Sequence, residues 1–186
     1  MMMNPKQLLD DKQVDSKQLD DSSLSPSFAL EKVSLFEIDA LTNILGKVCE
    51  ATAWEYGEVW TVEANQRILE LNPTWRIKSQ LSNDRRRDWG HFHLCSKEFI
   101  LHFGEGLPGR TWTCQTPQWI ADVSAESESY FLRNQIAKAF GVKAGFGVPV
   151  KTRQLQVVLA FFMSDVRRED HQLVEATQAI VAQLQS

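Results

Sequence analysis

The chain has 186 residues, 43% of them hydrophobic, and a formal net charge of −4. That length suits one domain with its own core plus a tail. The mild acidity argues against nucleic acid or an anionic membrane surface as the partner, and no apolar run reaches the length that crosses a bilayer.

Residues 1–33 carry "DDKQVDSKQLDDSSLSPS" at their centre and few large apolar side chains. They are expected to form a disordered or loosely structured tail, because so little burial does not offset chain entropy. The opening MMMNPKQLLDDK has no apolar centre of a secretion signal, so a cytoplasmic protein is expected. A single domain is expected over 34–186. Leu41, Ile44, Leu45, Val48 and Cys49 recur at helical spacing and predict an amphipathic helix that stops near Tyr56 and Gly57. "GEVWTVEA" (57–64) predicts a strand, and "RILELNPTWRIK" (67–78) a second one interrupted near Asn72 and Pro73. The polar stretch "QLSNDRRRDWG" (80–90) predicts a loop, and "FHLCSKEFILHF" (92–103) a short helix.

"LPGRTWTC" opens with a proline, which a first helical turn tolerates, and predicts a helix. "PQWIAD" predicts a short strand, and "SYFLRNQIAKAF" a helix closed by Gly141. Two strong strands follow, "AGFGVPVKT" and "LQVVLAFFMS", around a polar turn. The second is apolar on both faces, which predicts a central strand covered on both sides. In the first, Gly145, Gly147 and Pro149 share a face almost without side chains, which leaves room for a ligand or a close-packed helix. A last helix is expected from about Arg167, with Asp165 as its N-cap and Leu173, Thr177, Ile180, Val181 and Leu184 as its apolar side. Strands grouped as hairpins between helices predict an α+β fold with an antiparallel sheet and helices on its faces.

"ATAWEYGEVW", "GEGLPGRTW", "PQWIADV", "SYFLRNQIAKAFGVKAGFGVPV" and "VVLAFFMS", in that order, resemble a GAF domain, a sensory small-molecule-binding domain. The resemblance runs from about Leu35 to Leu184 and is nearest to the subtype of cyanobacterial sensor kinases. It implies a five- or six-stranded antiparallel sheet with a ligand pocket on one face and the terminal helices on the other. It further implies a stand-alone regulatory module in signal transduction that senses an unknown small molecule or binds a signalling protein. The terminal helices of such domains often form a homodimer interface, here Leu41, Ile44, Val48, Ile180 and Leu184. Those side chains are expected to remain partly exposed in a monomer. Candidate pocket residues are Trp112, Trp119, Tyr130, Phe131, Arg133, Gly145 and Gly147, with Arg110 and Arg133 as charges that suit an anion.

Several chemistries lack their residues. "GEGLPGR" has neither the lysine nor the hydroxyl of a phosphate-binding loop and is expected to be a tight turn, with Gly104 and Gly106 at positive φ. The cyclic-nucleotide signature of some GAF domains is not recognisable. No cysteine follows Cys114, so the usual thioether attachment of a bilin is not possible. No cofactor is expected, although a noncovalent tetrapyrrole or haem has three nearby imidazoles to draw on, His91, His93 and His102. Cys49, Cys95 and Cys114 are odd in number and form no CxxC, which suits free thiols and no structural zinc. Cys95 and Cys114 leave one enzymatic alternative open. Some single-domain GAF proteins are thiol-dependent free methionine-(R)-sulfoxide reductases, although their cysteine motifs are not matched here. A ligand-free structural scaffold is the third reading.

Overall fold

The most apolar segment of the chain lies at the centre of its sheet, as its two-sided pattern predicts. This strand, β6 (Gln156–Phe162), is hydrogen-bonded to β1 (Tyr56–Glu63) on one side and β5 (Gly145–Lys151) on the other. β2 (Ile68–Ile77) and β3 (Ile100–His102) extend the sheet beyond β1, and β4 (Gln118–Ile120) beyond β5. The six strands run in the order β3-β2-β1-β6-β5-β4, and every pair is antiparallel. The computed structural model describes residues 35–185; the tail expected at 1–33 lies outside the described residues.

Period-two alternation sends each strand's side chains to two different cores. Val157, Leu159 and Phe161 of β6, with Phe146, Val148 and Val150 of β5, meet the two terminal helices, α1 (Leu35–Ala51) and α5 (His171–Val181). Val158, Ala160 and Phe162, with Tyr56, Trp60 and Val62 of β1, meet the three internal helices. These are α2 (Asn83–Ser96), α3 (Gly106–Cys114) and α4 (Asn134–Phe140). No helix among the described residues is long and apolar enough to cross a membrane.

Four local expectations need correction. The first helix ends at Ala51, not near Gly57, and Tyr56 already begins β1. Beyond Thr52 the Trp54 side chain is buried and the Glu55 amide donates to Phe162 O, so the chain is committed to the sheet. Gly57 serves close approach instead of a helix stop: a Cβ there would lie 3.0 Å from the Phe161 ring and 3.1 Å from Leu45. Of residues 80–90, expected as a loop, 83–90 are instead the start of α2. The Ser82 hydroxyl caps it by accepting from the Arg85 amide, and Trp89 and Phe92 anchor it. The stretch expected as one short helix holds the end of α2 and the whole of β3. The last helix starts at His171, capped by Asp170 and not by Asp165, with the Asp170 carboxylate accepting from the Leu173 amide. The interruption of β2 at Asn72 and Pro73 is present as a bulge. Glu58 pairs with Trp75 while Trp60 pairs with Leu71, so β2 holds the extra residues, as a proline in a strand requires.

The terminal helices lie together behind the sheet, as expected. Their stripe, however, is mostly interior to one chain: Leu41, Ile44 and Val48 are 0%, 3% and 0% exposed. Ile180 and Leu184 are partly buried against the same core. The sheet is wide enough to cover what α1 presents, because Val59, Leu159 and Phe161 of neighbouring strands all project there.

Candidate functional site

β1 places a carboxylate on an inward face. Tyr56, Glu58 and Trp60 alternate toward the internal helices, and Glu58 is fully buried. A charge there requires a partner, since an unpaired buried carboxylate costs several kcal/mol. The partner is Arg133, at the N-terminal boundary of α4 and 1% exposed. Its guanidinium donates in a fork to Glu58, from Nη1 to Oε2 at 3.2 Å and from Nη2 to Oε1 at 2.7 Å. The Trp60 indole donates to Oε1 and the Tyr56 hydroxyl to Oε2, each at 2.8 Å. Arg133 Nη1 also donates to Ser96 Oγ at 2.9 Å, which ties the end of α2 to the pair. Four rings surround the cation, those of Trp60, Phe92, Phe131 and Phe162, with centroids 5.0 to 5.4 Å from its carbon. Both charges thus have hydrogen bonds, and the cation has a cage of π faces.

His93 of α2 closes the cluster. Its Nδ1 lies 2.8 Å from the Tyr56 hydroxyl, and its ring stacks on Trp75 at 4.6 Å. Burial, with the Glu58 charge next, pushes the Tyr56 phenol well above its ordinary value, so it stays protonated and donates its hydrogen bond to Glu58. Nδ1 must then carry the imidazole proton and donate to the Tyr56 oxygen, which leaves Nε2 as a bare acceptor. Nε2 is buried and has no hydrogen-bond partner among the described residues. Burial holds His93 below the usual imidazole range, against the upward pull of Glu58. A second carboxylate, Glu55, clamps the same layer from the strand's start. It accepts from the Trp89 indole at 3.0 Å and from the amide and hydroxyl of Ser164.

The glycine face of β5 is occupied by a helix. A Cβ on Gly147 would lie 2.3 Å from Thr111 Oγ1 of α3, and one on Gly145 would lie 2.8 Å from the Phe162 ring. Of the two occupants the sequence allows, a close-packed helix is the one present. The loop before α3 is the expected tight turn, with Gly104 at φ 87° and Gly106 at φ 58°.

The candidate pocket residues do not converge. Phe131 and Arg133 meet at the Glu58 cluster. Trp112 belongs to the same layer but lies beside Phe103, with ring centroids 6.5 Å apart. Trp119 is on the opposite face of the sheet, 5.2 Å from Trp54 and 5.7 Å from Phe146, with its indole donating to Arg167 O. Tyr130 is exposed, with Arg110 stacked 3.7 Å over its ring and donating to its carbonyl. The anion that Arg133 holds is the chain's own Glu58. That residue was missed in the sequence, where a single Glu in "YGEVW" gives little warning. The available signal was its register, two residues from Tyr56 and two from Trp60, on the face that those rings mark as buried.

The histidines are not gathered. His93 is buried in the cluster, whereas His91 and His102 are exposed, His91 on α2 beside Phe140 and His102 on edge strand β3. Among the described residues no three His, Cys, Asp or Glu side chains are grouped to hold a metal ion. Cys49 is buried and its thiol is pushed up to about 12, chiefly by burial. Cys95 and Cys114 sit in the last turns of α2 and α3.

Residues 31–186 match the family model described as the NLP protein GAF domain. Among curated proteins, the chain is similar to two transcription factors of Arabidopsis thaliana. It is 32% identical to GLABRA 3 over 63 residues and 35% identical to bHLH13 over 69 residues. These stretches are 34% and 37% of this chain but 10% and 12% of the relatives, so the chain spans about a tenth of their length. Among solved structures, it is similar to the GAF domain region of a putative membrane protein from Geobacter sulfurreducens. The TM-score is 0.57 at 12% identity, over 79% of this chain and 89% of that one. Free methionine-R-sulfoxide reductase from Neisseria meningitidis gives 0.52 at 16%, over 78% and 75%. NreA from Staphylococcus aureus, mutated in its nitrate binding site, gives 0.51 at 18%, over 76% and 99%. At these identities the likeness is one of fold.

Proposed function

The chain belongs to the NLP protein GAF domain family, and from that premise we propose that it is a regulatory module that acts through protein contacts, with its interior held shut by its own side chains. The observation that carries this reading is the sealed Glu58–Arg133 pair. Arg133, among the described residues the one fully buried cation, already has a bidentate carboxylate and four rings around it. A small molecule entering this layer would have to displace Glu58 or part the rings, and would leave a buried charge unpaired. The packing of Thr111 against Gly147 closes the other route to the glycine face. Similarity to parts of two transcription factors supports a regulatory setting.

The test is native mass spectrometry of freshly purified protein, with thermal melts in the presence of small anions, nitrate among them. The bare chain mass and an unmoved melting temperature are expected. A retained small molecule, or an anion that stabilises the wild type but not Arg133→Met, would transfer the assignment to ligand sensing. Turnover of free methionine sulfoxide that is lost in Cys95→Ser with Cys114→Ser would transfer it to the reductase reading.

A further inference from the structure

At the end of the sheet where the β1–β2 and β5–β6 hairpins turn, cations and rings alternate. The Arg67 guanidinium carbon lies 5.0 Å from the Phe103 centroid, Phe103 lies 6.5 Å from Trp112, and Lys151 Nζ lies 5.9 Å from Trp112. Arg153, in the β5–β6 turn, adds a third exposed cation. Among the described residues, none of these three cations is in an ion pair, although the chain has 24 acidic against 20 basic residues. The nearby Glu105 carboxylate is engaged elsewhere, accepting from the His102 amide at 2.8 Å.

Arg67 is held in place by more than packing. Its φ is 56°, a left-handed conformation in which glycine is free of strain and a long side chain is not. Its carbonyl accepts from the Phe103 amide at 3.0 Å, so the cation and the ring it covers are joined through the backbone. A side chain kept at a strained position, over a half-buried ring and without a counter-charge, suits a binding surface.

We propose that the Arg67–Phe103–Trp112–Lys151 row is a docking strip for an acidic, apolar segment of a partner protein. This deepens the reading of the chain as a protein-contact module by naming the surface and the chemistry of the partner. Carboxylates four residues apart in an extended segment point to the same side about 13 Å apart, which suits two cations at the ends of one strip. An apolar side chain between them covers Phe103. Charge complementarity supplies the selectivity, because the cations already over the rings need only a counter-charge. A single-stranded nucleic acid fits less well. Trp112 is 7% exposed and is tilted 60° to Phe103, so the strip has no pair of parallel open faces on which bases could stack.

The test titrates the full chain into a short labelled peptide of Asp, Leu and Gly, followed by fluorescence anisotropy at low and at physiological salt. The same peptide with Asn for Asp, and labelled oligothymidylate, serve as competitors of different chemistry. The Asp peptide should bind more tightly than the Asn peptide and weaken with salt. Arg67→Gln with Lys151→Gln should lower its affinity about tenfold, the scale of two surface charge contacts, while Arg168→Gln on another exposed loop leaves it unchanged. Equal binding of Asp and Asn peptides overturns the proposal. So does an unaffected double variant, the absence of peptide binding, or tighter binding of the oligonucleotide. A small molecule found in the interior would overturn the closed-interior reading without touching this strip, and a failed strip would leave that interior closed.

Discussion

The two faces of the sheet solve the same packing problem by different means. The face toward α1 and α5 is apolar, and its polar handles are two indoles, that of Trp54 donating to Thr177 Oγ1 and that of Trp119 to Arg167 O, each at 2.9 Å. The face toward α2, α3 and α4 is built around Glu58, Arg133, Tyr56, His93 and Ser96. An apolar face tolerates a volume-conserving change, because its energy is spread over many small contacts. A polar face concentrates its energy in a few groups, each of which becomes a liability when its partner goes. The lesson is that the face where a GAF-like pocket was expected is the one least able to open without loss.

The most severe way to break this contrast is to put a charge where no partner exists. Ile44→Glu on the α1 face should cost at least about 4–5 kcal/mol and leave the chain unfolded or aggregated in circular dichroism and size exclusion. A folded, soluble monomer would instead mean that the stripe serves an interface and is not core. Next in size is Arg133→Met, expected to cost about 3–5 kcal/mol in urea unfolding because it orphans Glu58. Adding Glu58→Met should recover most of that loss, since two apolar groups replace a matched pair. A double variant no better than the single one would deny that the charges depend on each other.

Gly147→Ala tests the helix against the ligand as occupant of the glycine face. The new methyl meets Thr111, so a loss of about 1–3 kcal/mol is expected, partly restored by Thr111→Ala. An unchanged melting temperature for Gly147→Ala would mean that this face has free space. The smallest effect sharpens the comparison through pH. The His93 pKa is lowered from 6.5 in the folded chain, so the unfolded chain takes up a proton first. Stability is therefore fully present above about pH 6.5 and declines as pH falls below it. Asp122 and Asp170, both held below 3.8, lose their contribution only at more acid pH. Urea midpoints between pH 7 and 5 should fall for the wild type and stay flatter for His93→Gln. Parallel curves would remove His93 as the cause.

What local pattern could carry, the sequence carried. The stripe of α1, the two-sided apolar run of β6, the left-handed Gly141 that ends α4 and the glycine turn before α3 are all readable, because each depends on neighbours a few residues away. The start of α2 was unreadable by the same method. "NDRRRDWGHFHLCS" shows almost no apolar stripe, and its helix rests on the Ser82 cap together with Trp89 and Phe92, which find cover only once β1 and β6 are assembled. Of the candidate site, Arg133 and Phe131 were legible as types suited to a pocket, but their neighbours were not. Trp119 went to the other face because β4 pairs it with Phe146, a register set by the sheet. Above all, Glu58 and Arg133 are 75 residues apart. Composition places a charge on the chain and periodicity can place it on a face. Whether that charge is a ligand's anchor or another residue's counter-ion depends on which group stands within hydrogen-bond reach, and long-range chain closure alone decides that.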